Sequence, residues 1–163
     1  MVGKTTGGKS MKSLNRMVRY AAAAALLASV GGVALAHAAD ANADRQAFMK
    51  SVGGLLSTVR TAATAGDMAT AKASAQKLSD GFKKFAVQFP AGSDATAVKT
   101  RAKAEIWTDA AGFKAANDKA IAASDALLLA AGGTDAAAVT AALSSVQKTC
   151  AGCHGVYRGP PLS

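Results

Sequence analysis

Both cysteines of the 163-residue chain lie in one pentapeptide near its C-terminus, Cys150-Ala151-Gly152-Cys153-His154. Two cysteines at i and i+3, with histidine directly after, form the attachment signature of a c-type haem. Each thiol adds to one haem vinyl group as a thioether, and the imidazole ligates the iron from the same side. This constrains the fold more than any other feature. On a helix, residues three apart share a face, so both sulfurs reach one edge of a flat ring that neighbouring helices must enclose.

The pentapeptide has rivals. A disulfide between residues three apart closes a tiny loop and stabilises little. A thioredoxin-like site needs CxxC after a strand in a βαβ pattern, which the chain lacks. Zinc needs four ligands, and beyond residue 38 no other Cys or His is present. A haem-free helical adaptor that uses CxxC for zinc or redox work is the alternative from another class. No paired carboxylates and no nucleophile with a base suggest a conventional enzyme.

The N-terminus reads as an export signal. Residues 1–20 are basic and polar, Ala21 to Ala36 form an apolar run, and Ala36-His37-Ala38 gives a small-x-small cleavage pattern. The run is shorter than the ~20 residues of a spanning helix. Residues 1–38 are therefore expected to be a cleaved signal peptide, with Met11 as an alternative start and an uncleaved anchor as the lesser reading. His37 then leaves with the signal, and residues 39–163 form one periplasmic domain. Haem is attached to c-type cytochromes outside the cytoplasm, so signal and motif agree. Charge follows the same division. The formal +9 includes five basic residues (Lys4, Lys9, Lys12, Arg16, Arg19) ahead of the cleavage pattern and no acidic one there. The remainder is +4, with no Lys/Arg block and no interleaved aromatics, which argues against nucleic acid as a partner.

The domain is Ala-rich and Pro-poor, which favours helices. A first helix is expected over 41–65, with Phe48, Val52, Leu55, Val59 and Ala62 as its apolar stripe. Gly66 ends it and Asp67 caps a second helix, whose stripe runs from Met68 through Ala71, Ala75, Leu78, Phe82 and Phe85 to Phe89, with Pro90 as the stop. Residues 90–106 form one long connection. A third helix is expected from Thr108 or Asp109 to Ala130 with a weaker stripe of Phe113, Ile121 and Leu128. Thr134 or Asp135 caps the fourth, in which Val139, Leu143, Val146, Cys150, Cys153 and Tyr157 make one seam. No period-two run suggests a sheet. The fold class is all-α, an antiparallel up-down-up-down four-helix bundle enclosing a covalently bound haem.

Four segments carry a family resemblance: Arg45-Gln46-Ala47-Phe48-Met49-Lys50; Thr100-Arg101-Ala102-Lys103-Ala104-Glu105-Ile106-Trp107; Asp109-Ala110-Ala111-Gly112-Phe113; and the pentapeptide followed by Tyr157-Arg158. The chain resembles the cytochrome c prime and cytochrome c-556 family from about residue 44 to 158. Relatives often have Pro where Ala104 stands, a difference expected only to loosen the loop. The resemblance implies one haem c per chain, thioethers at Cys150 and Cys153, and His154 as the proximal axial ligand. Met49 falls at the position facing the distal side of the iron. There it is the sixth ligand in the c-556 branch, or leaves the iron five-coordinate in the c prime branch; a core filler is the plain reading. Arg45 is implied as a haem-propionate partner, against a solvated surface arginine. Arg158 is implied beside the proximal pocket, against a cation at a helix C-terminus. Trp107 packs against an end of the bundle or touches the haem. The expected function is electron transfer with unidentified redox partner proteins and His/Met ligation. The alternative is a five-coordinate protein binding nitric oxide or carbon monoxide. A homodimer through the first two helices is a further implication.

Overall fold

The fold is that of a computed structural model, which describes the backbone of residues 11–162 and the side chains of residues 36–162. Five helices follow one another: α1 (Met11–Thr64), α2 (Met68–Phe85), α3 (Glu105–Thr108), α4 (Ala110–Ala131) and α5 (Ala136–Tyr157). Among the described residues there is no strand, only an isolated bridge between Ala102 and Arg158. The long helices form a ring of neighbours, α1 against α2, α2 against α4, α4 against α5 and α5 back against α1. This is the expected four-helix bundle, with α3 as a single extra turn at its end.

The first helix ends close to the expected place but does not begin at residue 41. The Ala-rich chain is helical from Met11 onward, through Ala36-His37-Ala38; it has no proline before Thr64, and its abundant alanine offsets the cost of Gly31-Gly32 and Gly53-Gly54. Lys4 and Lys9 of the expected export signal lie outside the described residues, as do the side chains of its apolar run up to residue 35. Among the described residues no helix is long and apolar enough to cross a membrane.

The turn from α1 to α2 is built from local chemistry. Gly66 takes a positive φ of 78°, and Asp67 N–H bonds back to the Ala62 carbonyl at 2.9 Å, the geometry that closes a helix end on glycine. The Asp67 carboxylate then accepts from Thr70 N–H at 3.0 Å and caps α2. Asp109 and Asp135 cap α4 and α5 in the same way, accepting from Gly112 and Ala137 N–H.

Two expectations need correction. The second helix stops at Phe85, short of Pro90, and turns at Ala86 and Val87. The tertiary reason is Phe89, whose ring meets Phe85, Trp107 and Phe113 at centroid distances of 5.0, 6.1 and 4.7 Å. A continuing helix would not place it among all three. In α4 the buried line is Phe113, Asn117, Ala120, Ser124, Leu127 and Ala131. Ile121 and Leu128 lie on its flank and are only partly buried. Two positions of the true line are polar, and so hid it from an apolar pattern. Asn117 donates to the Phe82 carbonyl at 3.4 Å, and Ser124 to the Ala120 carbonyl at 2.8 Å.

The long connection packs across one end of the bundle, as its length suggests. Ala104, immediately before α3, has φ −57°, close to the fixed angle of proline, and its amide makes no hydrogen bond among the described residues. Ala104→Pro is therefore expected to stabilise the protein by about 0.4–1 kcal/mol through the unfolded state. A denaturant titration checks it; a loss of stability would show that the loop cannot accept the ring.

Candidate haem site

Helix α5 supplies the pentapeptide. Val139, Leu143, Val146 and Tyr157 are buried on one face, and Cys150 and Cys153 continue that face half-buried. The core divides beside them. Cys150 packs against a cluster built on Val52, Val59, Leu78, Leu127, Leu143 and Val146. Cys153 packs against a second one of Phe85, Ile106, Phe113 and Tyr157. Phe48 and Met49, from α1, pack against both. The junction of the clusters thus brings together Met49, Cys150 and Cys153 from segments a hundred residues apart in sequence.

Aromatic rings line this junction. Phe82, Phe48, Phe85, Phe89, Phe113 and Tyr157 form a continuous series with centroid separations from 4.7 to 6.0 Å, mostly edge-to-face. Gly81 is needed for it, because a Cβ there would overlap the Phe48 ring. Tyr157 closes the series, its hydroxyl donating to Asp109 Oδ2 at 3.0 Å. Gly112 leaves room for that bond, since a Cβ would come within 2.6 Å of the Tyr157 hydroxyl. Asp109 thereby caps α4 and fixes the end of the pentapeptide helix together, a link no local signal announces.

Burial raises the pKa of both thiols, and Cys150 adds to the effect at Cys153, so both are neutral at neutral pH. His154 is half-buried, and its pKa is lowered first by desolvation and then by the charges of Arg158 and Arg101. A neutral imidazole is the form that ligates a metal. Both cysteines are free. Among the described residues no cluster of three or more His, Cys, Asp or Glu could hold a metal ion, which leaves the zinc alternative without a ligand set. Two neutral thiols and a neutral imidazole on one helix end, beside an aromatic seam, fit a covalently attached haem.

The other expected residues have defined places. Arg45 is not a surface arginine: it is 3% exposed. Its guanidinium donates to the Gln88 carbonyl (3.0 Å), Ser93 Oγ (2.9 Å), the Ser93 carbonyl (2.6 Å) and Thr100 Oγ1 (3.0 Å), and lies 4.7 Å from the centre of the Phe89 ring. Any propionate partnership would come in addition to those four bonds. Trp107 packs in the second cluster and donates its indole N–H to the carbonyls of Phe89 and Pro90 at 3.2 and 3.3 Å. Arg158 is exposed, caps α5, and donates its backbone N–H to the His154 carbonyl at 3.3 Å. Arg101 was given no role of its own within its segment, yet its Nε and Nη2 both donate to the Gly159 carbonyl, at 2.9 and 2.7 Å.

A four-helix bundle with this donor set is the frame of a c-type haem protein, and comparison with known proteins agrees. The sequence model of the Cytochrome C' family matches residues 40–158, so the chain belongs to that family. Cytochrome c-556 of Agrobacterium fabrum is 33% identical over 117 residues, covering 70% of this chain and 77% of that protein. Two cytochromes c' match at higher identity, 46% and 43%, but the chain spans only about half the length of each. The crystal structure of cytochrome c' from Rubrivivax gelatinosus superposes with a TM-score of 0.66 at 32% identity, over 74% of this chain and 96% of that one. A cytochrome c prime mutant from Alcaligenes xylosoxidans, solved as a nitric oxide complex, gives a TM-score of 0.66 at 26% identity, over 74% and 95%. The protein is a haem protein of the cytochrome c'/c-556 kind, with one covalently attached haem c per chain.

Proposed function

We propose that the protein is a periplasmic one-electron carrier, with its haem bound by Cys150 and Cys153 and its iron held between His154 and Met49. The observation that supports this most is the position of Met49, among the described residues the one methionine packed against both clusters that receive the two cysteines. When bound, the haem supplies a one-electron ferric/ferrous couple. The chain does the rest. Desolvation keeps the His154 imidazole neutral for ligation. Met49, as a thioether ligand, would favour ferrous iron and raise the potential. The Phe85, Phe89 and Phe113 rings keep water away, which also disfavours the more highly charged ferric state. The ordering of basic, apolar and small residues at the N-terminus supports export. A homodimer through α1 and α2 belongs to the same proposal, and sedimentation tests it.

Six-coordination gives a low-spin ferrous spectrum that carbon monoxide leaves unchanged. Met49→Ala is then expected to convert the iron to high spin and to open it to carbon monoxide. The second reading is a gas-binding protein in which Met49 does not ligate, supported by the nitric oxide complex of the Alcaligenes relative. It predicts a high-spin wild type that shifts sharply with carbon monoxide, and little change in Met49→Ala.

A further inference from the structure

The connection between α2 and α3 does more than span the end of the bundle. It is fastened to the residues that follow the pentapeptide. Lys103 N–H donates to the Tyr157 carbonyl at 3.1 Å, and Gly159 N–H to the Arg101 carbonyl at 2.7 Å. These flank the bridge between Ala102 and Arg158. The Arg101 side chain adds its two bonds to the Gly159 carbonyl. A guanidinium held by two bonds to one carbonyl is fixed in position, five residues past His154.

Its partner is a neutral carbonyl. Among the described residues no carboxylate pairs with Arg101 or Arg158; the neighbouring Glu105 is taken by Lys103 at 2.9 Å. Arg101 is half-buried, so water screens its charge only in part. Among the described residues, two cations without a carboxylate partner therefore flank the last turn of α5, where the carbonyl dipoles point and the imidazole sits. Both are tied to the end of the helix that carries His154: Arg158 N–H bonds to the His154 carbonyl at 3.3 Å, and the Arg101 guanidinium grips the Gly159 carbonyl.

We propose that Arg101 is a positioning residue for electron transfer, whose fixed charge holds the reduction potential up. Uptake of one electron, supplied by a one-electron donor, lowers the charge of the site by one and moves no proton. A static positive charge nearby favours that product over the ferric starting state. The inference rests on the electron-transfer reading but holds for either coordination of the iron. It also gives the long connection a role beyond closure, since that segment delivers the charge.

The test is the midpoint potential of holo wild type, Arg101→Gln, Arg101→Lys and Arg158→Gln, followed optically, with melting temperature measured alongside. Arg101→Gln is expected to lower the ferrous/ferric ratio at a given poise about three- to tenfold, or ~30 to ~59 mV at ~59 mV per tenfold. Arg101→Lys should stay near wild type in potential while losing stability, because it keeps the charge and loses the fork. Arg158→Gln touches no side-chain hydrogen bond and should lower the potential even if Arg101→Gln does not fold. An unmoved potential in Arg101→Gln overturns the inference, or in Arg158→Gln where Arg101→Gln does not fold, as does an equal fall in Arg101→Gln and Arg101→Lys, which would make Arg101 a staple only. Covalent haem is checked first by its pyridine haemochrome. Its absence sinks the electron-carrier reading and this inference together; its presence with unmoved potentials sinks the inference alone.

Discussion

Replacing Cys150 and Cys153 together by serine is expected to abolish covalent haem and leave a protein that still forms helices. The reason lies in how the core divides. The larger cluster, around Val59, Leu78, Leu127, Leu143 and Val146, closes without the cysteines, since all five side chains are fully buried. The smaller cluster is aromatic and lies beside Cys153. Without the haem its rings lose a neighbour, and Phe89 and Trp107 are expected to become mobile first. Far-ultraviolet circular dichroism should stay close to wild type while the near-ultraviolet signal of the aromatics weakens. Each single variant keeps one sulfur and should keep a singly attached haem with a shifted pyridine haemochrome. A double variant that still carries haem through denaturation would remove these residues from the attachment.

The second large effect concerns Arg45. Truncation to Ala takes away the donor for two buried carbonyl and hydroxyl groups of Ser93, for Thr100 Oγ1 and for the Gln88 carbonyl. Hydrogen bonds from a charged donor contribute about 1.5–3 kcal/mol each, and neighbours do not add fully, so a loss of about 3 kcal/mol or more is expected. The loop it holds is the one that reaches Tyr157 and Gly159, so the damage spreads to the haem end. Arg45→Lys should recover only part, because one ammonium group cannot serve acceptors on three residues in a fixed fork. By contrast, Lys114→Ala, which breaks a 2.6 Å pair with Asp118 on the exposed face of α4, should change stability little. Chemical denaturation of the three variants decides it. Equal effects of Arg45→Ala and Lys114→Ala would contradict the account of the loop.

What the sequence revealed was mostly what is local. Asp67, Asp109 and Asp135 cap helices by bonds that span two or three residues, so they could be read directly. The pentapeptide is equally local, and the seam it continues in α5 is strictly periodic. Long-range features were hidden. The buried line of α4 runs through Asn117 and Ser124, whose polar groups are satisfied by backbone carbonyls rather than by water. The early end of α2 depends on rings contributed by α3 and α4. Arg45 looked like any arginine on a helix, because its partners lie 43 to 55 residues away. The role of Arg101 was not legible, since its acceptor is a backbone carbonyl 58 residues on. Met49 stands between these cases. Its place on α1 was legible, and its neighbours at the junction of the two clusters became visible only in the fold.

Cys150 and Cys153 are proposed to carry the haem and His154 to ligate its iron, and peptide mass spectrometry on protein expressed with export and haem-attachment machinery decides this. The proteolytic peptide containing Cys150-Ala151-Gly152-Cys153-His154 is expected to be heavier by one haem, with both thiols refractory to alkylation, and His154→Ala to keep this added mass but lose the wild-type iron spectrum. A peptide of unmodified mass with two alkylatable thiols would contradict it.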